Sequence, residues 1–166
     1  MKAEKLFKTL VDSIFILQIV GFLTLIVAIP TMYLTSINFE NVSVIKWPFL
    51  LWILAFIYVF SYVLFIVGVF YLKKLSKELL KEKYFSNYVI QNSIRTGKMF
   101  IVSGCLMILV FLIQFVSRLT NYSLRLAYST EFIFALFIIA IGLFFLIQGK
   151  ILNKGNQLKQ ENDLTI

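Results

Sequence analysis

The side chains that could carry catalysis are few in this chain of 166 residues. There is no histidine, so the commonest general base and the commonest metal ligand are both missing. Cys105, the one cysteine, lies in an apolar run without a base beside it, which favours a small buried apolar role. No pair of carboxylates falls inside an apolar run, so the groups needed for hydrolysis do not come together. We expect no enzymatic activity, no metal and no cofactor.

Uncharged polar residues inside the apolar runs are the remaining candidates for a site. A transporter usually carries ionisable groups near the membrane midplane, and the sequence has none there. Hydrogen bonds between neighbouring helices are the simpler role for such residues. Asp12, at the cytoplasmic edge of the first run, fits an interfacial charge or a charge near the start of a helix better than a proton site. The polar residues inside the runs are Gln18, Thr24, Ser61, Ser103 and Gln114, with Tyr58 and Tyr62 as further members.

The composition indicates which elements must hold these residues. Hydrophobic residues make up 60% of the chain and charged residues 14%, whereas soluble domains carry about 25% charged residues. A chain this short cannot bury so much apolar surface in water. Four apolar runs are long enough for helices that cross a bilayer. We predict an all-α integral membrane protein with a single domain, 1–166, folded as an antiparallel, up-down-up-down four-helix bundle. Its spans are expected at about 13–34, 48–72, 98–116 and 131–152.

The distribution of Lys and Arg predicts the orientation in the membrane. Thirteen of the 16 lie in the N-terminal segment, between the second and third spans, or in the tail. Because cytoplasmic loops carry an excess of these residues, we expect both termini to be cytoplasmic. The net charge of +8 is then explained mainly by the orientation in the membrane, and we expect no direct binding of nucleic acid.

Small residues recur at a spacing of seven in every span, which returns them to nearly the same helix face. Helices in lipid associate where small residues allow close approach, so tight helix packing is the simpler interpretation. A path for a substrate within a homo-oligomer is the alternative. The candidate packing residues are Gly21, Gly68, Gly104, Gly142 and Gly149.

The cytoplasmic loop 73–97 is predicted to be amphipathic, because its leucines fall on one helix face and its lysines on the other. The second span should continue as a helix to about residue 82, and Ser86 or Asn87 should cap a new helix. Either the two helices project as a hairpin, or the Lys-rich segment lies on the inner leaflet. We expect anionic lipid head groups near 73–83, with an acidic protein surface as the alternative. The candidate partner-binding lysines are Lys74, Lys77 and Lys81.

The cytoplasmic tail, 153–166, is polar but ends in apolar residues, which is unusual for a solvated terminus. We expect it to pack on the loop 73–97, or to dock to a partner as a short strand or through its carboxylate. Its candidate partner-binding residues are Leu158, Glu161, Asp163, Leu164 and Ile166.

Several features of the chain are distinctive when taken together: the ending LKQENDLTI over 158–166, Gly149, the Phe85-Ser86 step and Arg95-x-Gly97. The pattern resembles a bacterial domain-of-unknown-function family of small four-span membrane proteins, whose members end in something like LKEENDLTI. In this chain Gln160 stands where the family has an acidic residue. The resemblance implies a multi-pass protein of the bacterial plasma membrane with no assigned activity.

The resemblance also implies a partner, because such genes often lie beside a small helix-turn-helix regulator. We predict a non-enzymatic regulatory or interaction protein that uses its cytoplasmic loop and tail. The alternative is a small transporter or a peptide-immunity protein that acts within the bilayer. For that alternative, Gln18 and Gln114 are the best candidate residues.

Overall fold

A computed structural model describes residues 2–38, 49–81, 84–120 and 130–163. Within these ranges the chain is helical, with short turns and no strand. Each helix contains a stretch long and apolar enough to cross a membrane, which confirms the predicted all-α, four-span membrane fold. The helices are α1 (Lys2–Asn38), α2 (Phe49–Leu79), α3 (Asn87–Thr120) and α4 (Thr130–Asp163).

The helices extend beyond the predicted spans, because the polar segments at their ends are also helical. α3 begins at Asn87, well before residue 98, and α4 runs to Asp163, well past residue 152. These segments contain no proline, and their Lys, Gln and Glu residues are good helix formers. The described part of the tail, as far as Asp163, is therefore a helix, and the apolar end that is expected to dock lies outside the described residues.

The connection between α2 and α3 is short, and a serine caps the start of α3. α2 ends at Leu79, slightly before the predicted end. Ser86 caps α3: its Oγ accepts a hydrogen bond from the Val89 N–H at 3.3 Å, and its carbonyl accepts one from Ile90 at 3.1 Å. α2 is helical without a break from the apolar stretch through its lysines, as the predicted continuation of the second span requires, while the position of these lysines relative to the inner leaflet stays a prediction.

Contacts that advance along one helix go back along the next, so neighbouring helices are antiparallel: on α3, Ile94 precedes Gly104, whereas on α4 the partner of Ile94, Gly149, follows the partner of Gly104, Ala135. The Ser61 hydroxyl of α2 meets Ser103 of α3, and the Ser93 hydroxyl of α3 meets Phe145 of α4. Within the described ranges, the backbone of α1 lies against α2 and does not approach α3 or α4.

The core lies between α2, α3 and α4. The Phe100 ring centroid lies 5.4 Å from that of Phe65 and 6.3 Å from that of Phe145. Phe65 also meets Phe134 across the α2–α4 side, with the ring centroids 6.4 Å apart. By contrast, Val11 is the one buried side chain among those described on α1. The buried cluster comprises Val69, Leu75, Val89, Phe100, Ile138 and Phe145.

Candidate interaction surface

The candidate packing glycines lie where two helices come closest. A Cβ added at Gly104 would lie 2.5 Å from Ile139, and one added at Gly149 would lie 2.6 Å from a side-chain carbon of Ile94. At Gly97 it would lie 2.6 Å from the carbonyl oxygen of Gly142, a backbone atom that cannot rotate away. A Cβ at Gly142 would in turn lie 2.8 Å from Ile101 on α3. These α3 and α4 residues form a tight interface.

The other two candidate packing glycines face aromatic side chains. A Cβ at Gly68 would lie 2.5 Å from the Phe100 ring, and one at Gly21 would lie 2.9 Å from the Tyr62 hydroxyl oxygen. The space beside both glycines is therefore filled by a neighbouring helix, which fits packing better than a groove that holds a substrate.

Buried serines link the helices of the core by hydrogen bonds. The Ser61 hydroxyl donates to the Ser103 carbonyl at 2.8 Å, and the Ser103 hydroxyl donates to the Ser61 carbonyl at 2.9 Å. On the other side of α3, Ser93 donates to the Phe145 carbonyl at 2.9 Å. Thr96 lies one turn from Ser93 and is fully buried, but its hydroxyl has no hydrogen-bond partner in the part of the chain that the structure describes.

Polar contacts also link α1 to α2. The Tyr62 hydroxyl donates to the Gln18 side-chain oxygen at 2.7 Å, so Gln18 is used between helices. Asp12 forms an ion pair with Lys73, with 3.4 Å between Oδ1 and Nζ. Sequence reasoning placed Asp12 at a helix start and missed this pair. The antiparallel order was the available signal, because it sets the start of α1 level with the end of α2.

The candidate lysines of α2 have different surroundings. Lys81 is paired with Glu78, with 2.8 Å between Nζ and Oε1. Lys77 is exposed. Lys74 lies over aromatic rings instead, with its Nζ 4.4 Å from the centroid of Phe70 and 5.7 Å from that of Tyr71.

A second cation, from α3, approaches the same tyrosine. The Cζ of Arg95 lies 5.7 Å from the centroid of the Tyr71 ring. Within the described ranges, neither Lys74 nor Arg95 has a carboxylate within ion-pair distance. Lys74, Tyr71 and Arg95 thus form a cationic cluster across α2 and α3.

Residues of both α1 and α4 contact the turn between α2 and α3. The Tyr84 hydroxyl donates to Glu4 Oε1 at 2.6 Å, which links the turn to the start of α1. On the other side, Asn156 donates from its amide to Asn87 Oδ1 at 3.1 Å. A Cβ at Gly155 would lie 2.6 Å from the Phe85 ring, so this glycine lets α4 pass close to the turn.

α4 continues as a helix beyond Asn156. From Asn156 to Asp163 it advances by about 10 Å, at 1.5 Å per residue. We call residues 157–163 the α4 extension. Leu158 is 59% exposed there, and Glu161 is exposed as well. Two of the candidate tail residues, Leu164 and Ile166, lie outside the described residues.

The comparison with protein families decides what the chain is related to. A family model described as "Protein of unknown function (DUF2975)" matches residues 35–166. The chain belongs to the DUF2975 family. This confirms the predicted resemblance to a domain-of-unknown-function family. No curated protein and no solved structure matches the chain.

The DUF2975 match separates α1 from the other three helices. It covers all of α2, α3 and α4, and of α1 it includes only the end, from residue 35 onward. The matched part therefore contains the buried cluster of the core, the Ser61–Ser103 pair, the cationic cluster and the α4 extension. The Gln18–Tyr62 and Asp12–Lys73 links join it to a helix that lies mostly outside the match.

Proposed function

We propose that this protein is a non-enzymatic regulatory or interaction protein of the bacterial plasma membrane, with both termini in the cytoplasm. The α4 extension binds a soluble protein partner, and the Lys-rich segment 73–83 faces anionic lipid head groups. The observation that carries the proposal is the course of α4, which passes the α2–α3 turn and continues as a helix with exposed side chains.

The α4 extension has the features of a helix that docks in a groove. Its side chains from Gln157 to Asn162 are exposed. Leu158 offers an apolar anchor among polar neighbours, and such anchors on one helix face are how amphipathic helices bind hydrophobic grooves. The contacts of Gly155 and Asn156 with the turn fix the direction in which the extension leaves the membrane domain.

The proposed partner is a small helix-turn-helix transcription regulator, as the family resemblance implies. Binding at the membrane would hold such a regulator away from DNA. The core supports an interaction role over transport, because neighbouring helices fill the space beside its candidate glycines. In addition, the hydroxyls of Ser61 and Ser103 each donate a hydrogen bond to the carbonyl of the other residue.

The test is co-purification from the native membrane, followed by reconstitution with the purified regulator that is recovered. Leu158→Asp places a charge on the apolar anchor and should lower the affinity at least tenfold, since burying an unpaired carboxylate is costly. Gln160→Ala, two residues along the same helix, is the matched control and should bind within about twofold of the wild type, as a surface change usually does.

A chain that lacks residues 158–166 should lose the regulator completely. If it recovers the same amount of regulator as the full chain, the α4 extension is not the binding site. Recovery of a protein that binds the intact chain and the deletion equally would also contradict the proposal.

A further inference from the structure

The cations near the α2–α3 turn are of two kinds. Lys73 and Lys81 are neutralised by carboxylates, Asp12 and Glu78 respectively. Lys74 is one residue from Lys73 but has no carboxylate partner within the described ranges, and the same holds for Arg95. Lys74 and Arg95, on different helices, are thus available to a negative group that the described part of the chain does not supply.

The geometry brings these two cations to one ring. The Tyr71 ring has the Lys74 ammonium 5.7 Å from its centroid and the Arg95 guanidinium carbon 5.7 Å from it. Distances of up to about 6 Å allow a cation–π attraction that holds a flexible side chain in place. Tyr71 therefore acts as a shared support that orders Lys74 and Arg95 before any ligand binds.

The predicted spans put the cluster at the level of lipid head groups. Tyr71 lies at the end of the predicted span 48–72, and Arg95 precedes the predicted span 98–116. Tyrosines with one apolar and one polar side are enriched at this level of a bilayer. Phe70, which is 41% exposed beside the Lys74 ammonium, continues the cluster toward the apolar part of the bilayer.

We propose that Lys74, Tyr71 and Arg95 form a binding site for the phosphodiester head group of an anionic phospholipid. Lys74 binds the phosphate as a point charge, and Arg95 donates two parallel N–H bonds to its oxygens. The first acyl carbons lie against Phe70. The inference deepens the lipid part of the proposed function, by assigning it to one site, and does not depend on the soluble partner.

The test measures lipid binding to the full-length protein in neutral detergent by native mass spectrometry, with phosphatidylglycerol as the probe and phosphatidylcholine as the reference lipid. Basic residues near a membrane surface contribute about 1 kcal/mol each, so Lys74→Gln with Arg95→Gln should weaken phosphatidylglycerol binding about 30-fold. Lys154→Gln with Lys159→Gln removes two exposed lysines from α4 and should change binding less than about twofold, because neither lies in the cluster.

A second pair of variants tests the ring itself. Tyr71→Leu removes the ring beside Arg95 and one of the two rings beside Lys74, so it should weaken binding several-fold, whereas Tyr71→Phe keeps the ring and should bind like the wild type. The Phe variant also shows whether a loss of binding reflects the ring or a disturbed helix.

The outcomes separate the site from the broader lipid role. If the two double variants weaken phosphatidylglycerol binding equally, binding depends only on net charge. The proposed site is then wrong, whereas the broader role in binding anionic lipid still stands. If the wild type binds phosphatidylglycerol no better than phosphatidylcholine, the lipid part of the proposed function fails together with the site. If inorganic phosphate competes as well as an equal concentration of phosphatidylglycerol, the cluster binds a free anion and not a lipid.

Discussion

The interface between α3 and α4 and the interface between α1 and α2 join helices of similar length in different ways. Along α3 and α4, glycines allow the backbones to come so close that a Cβ at Gly97 would meet the Gly142 carbonyl oxygen at 2.6 Å. Along α1 and α2, the close position is Gly21, which faces the movable end of the Tyr62 side chain. The first interface depends on backbone approach, and the second depends on a few side-chain links.

The difference matters because lipid provides no hydrophobic force that pushes helices together. Association in a bilayer depends on packing and on hydrogen bonds between helices. The unit of α2, α3 and α4 has both, whereas α1 buries one described side chain, Val11, and is linked to α2 by the Gln18–Tyr62 and Asp12–Lys73 pairs. The family match agrees with this division, since it begins only at residue 35.

The largest expected effect comes from adding one methyl group to the close backbone contact. Gly97→Ala should lower the free energy of unfolding by about 2 to 3 kcal/mol, because the new Cβ would meet backbone atoms of α4 that cannot rotate aside. The measurement is an unfolding titration in mixed micelles that contain an increasing fraction of a denaturing detergent.

Gly21→Ala is the matched control for that prediction. Its Cβ would meet the end of the Tyr62 side chain, which can shift, so the cost should stay below about 1 kcal/mol. Equal costs at the two positions would remove the distinction between the two interfaces.

The next largest effect is expected at the buried serine pair. Ser61→Ala and Ser103→Ala each remove a donor to the partner's carbonyl, and each should cost about 1 kcal/mol. Because the two hydroxyls also lie 3.3 Å apart, a double-mutant cycle should show a coupling of about 0.6 kcal/mol, the average for such bonds in a membrane. Strictly additive losses would show that the two serines act independently.

A smaller effect is expected at the link between α1 and α2. Tyr62→Phe removes the donor to Gln18 and should cost about 0.6 kcal/mol, with the change confined to α1. Disulfide crosslinking between cysteines introduced on α1 and α2 should become slower in this variant, while crosslinking between α3 and α4 should not change. A variant that loosens both interfaces equally would contradict the separate attachment of α1.

The sequence was sufficient to predict the spans, because apolar runs of about 20 residues have few alternatives in a bilayer. It was also sufficient for the cap at Ser86, which is a local hydrogen bond. Contacts between residues that are far apart in the sequence could not be predicted in this way. The Asp12–Lys73 pair depends on how α1 and α2 align, and the Tyr71 cluster on how far α2 and α3 are rotated about their axes.

The exposure of the candidate tail residues could not be predicted from the sequence either. Composition marked Leu158 as an apolar residue in a polar tail, but whether it would pack on the turn or remain exposed depends on where α4 passes the turn. The contacts of Gly155 with Phe85 and of Asn156 with Asn87 decide where α4 passes the turn, and Leu158, further along α4, is left 59% exposed.

The smallest expected effect tests whether polar groups strengthen the core only when they are paired. Thr96 is as buried as Ser103, but its hydroxyl has no hydrogen-bond partner in the described part of the chain. Thr96→Val replaces that hydroxyl with a methyl group of similar size. It should therefore leave the free energy of unfolding unchanged or raise it by at most about 0.5 kcal/mol, since a desolvation cost is removed and no bond is lost.

Ser103→Ala, measured in the same micelles, is the comparison for Thr96→Val, because it removes a hydroxyl of the core that does have partners. If Thr96→Val destabilises the protein as much as Ser103→Ala does, the Thr96 hydroxyl must bond in the folded protein. The core of α2, α3 and α4 would then depend on one more polar link than the described contacts provide, and in this respect it would resemble the α1–α2 interface more closely.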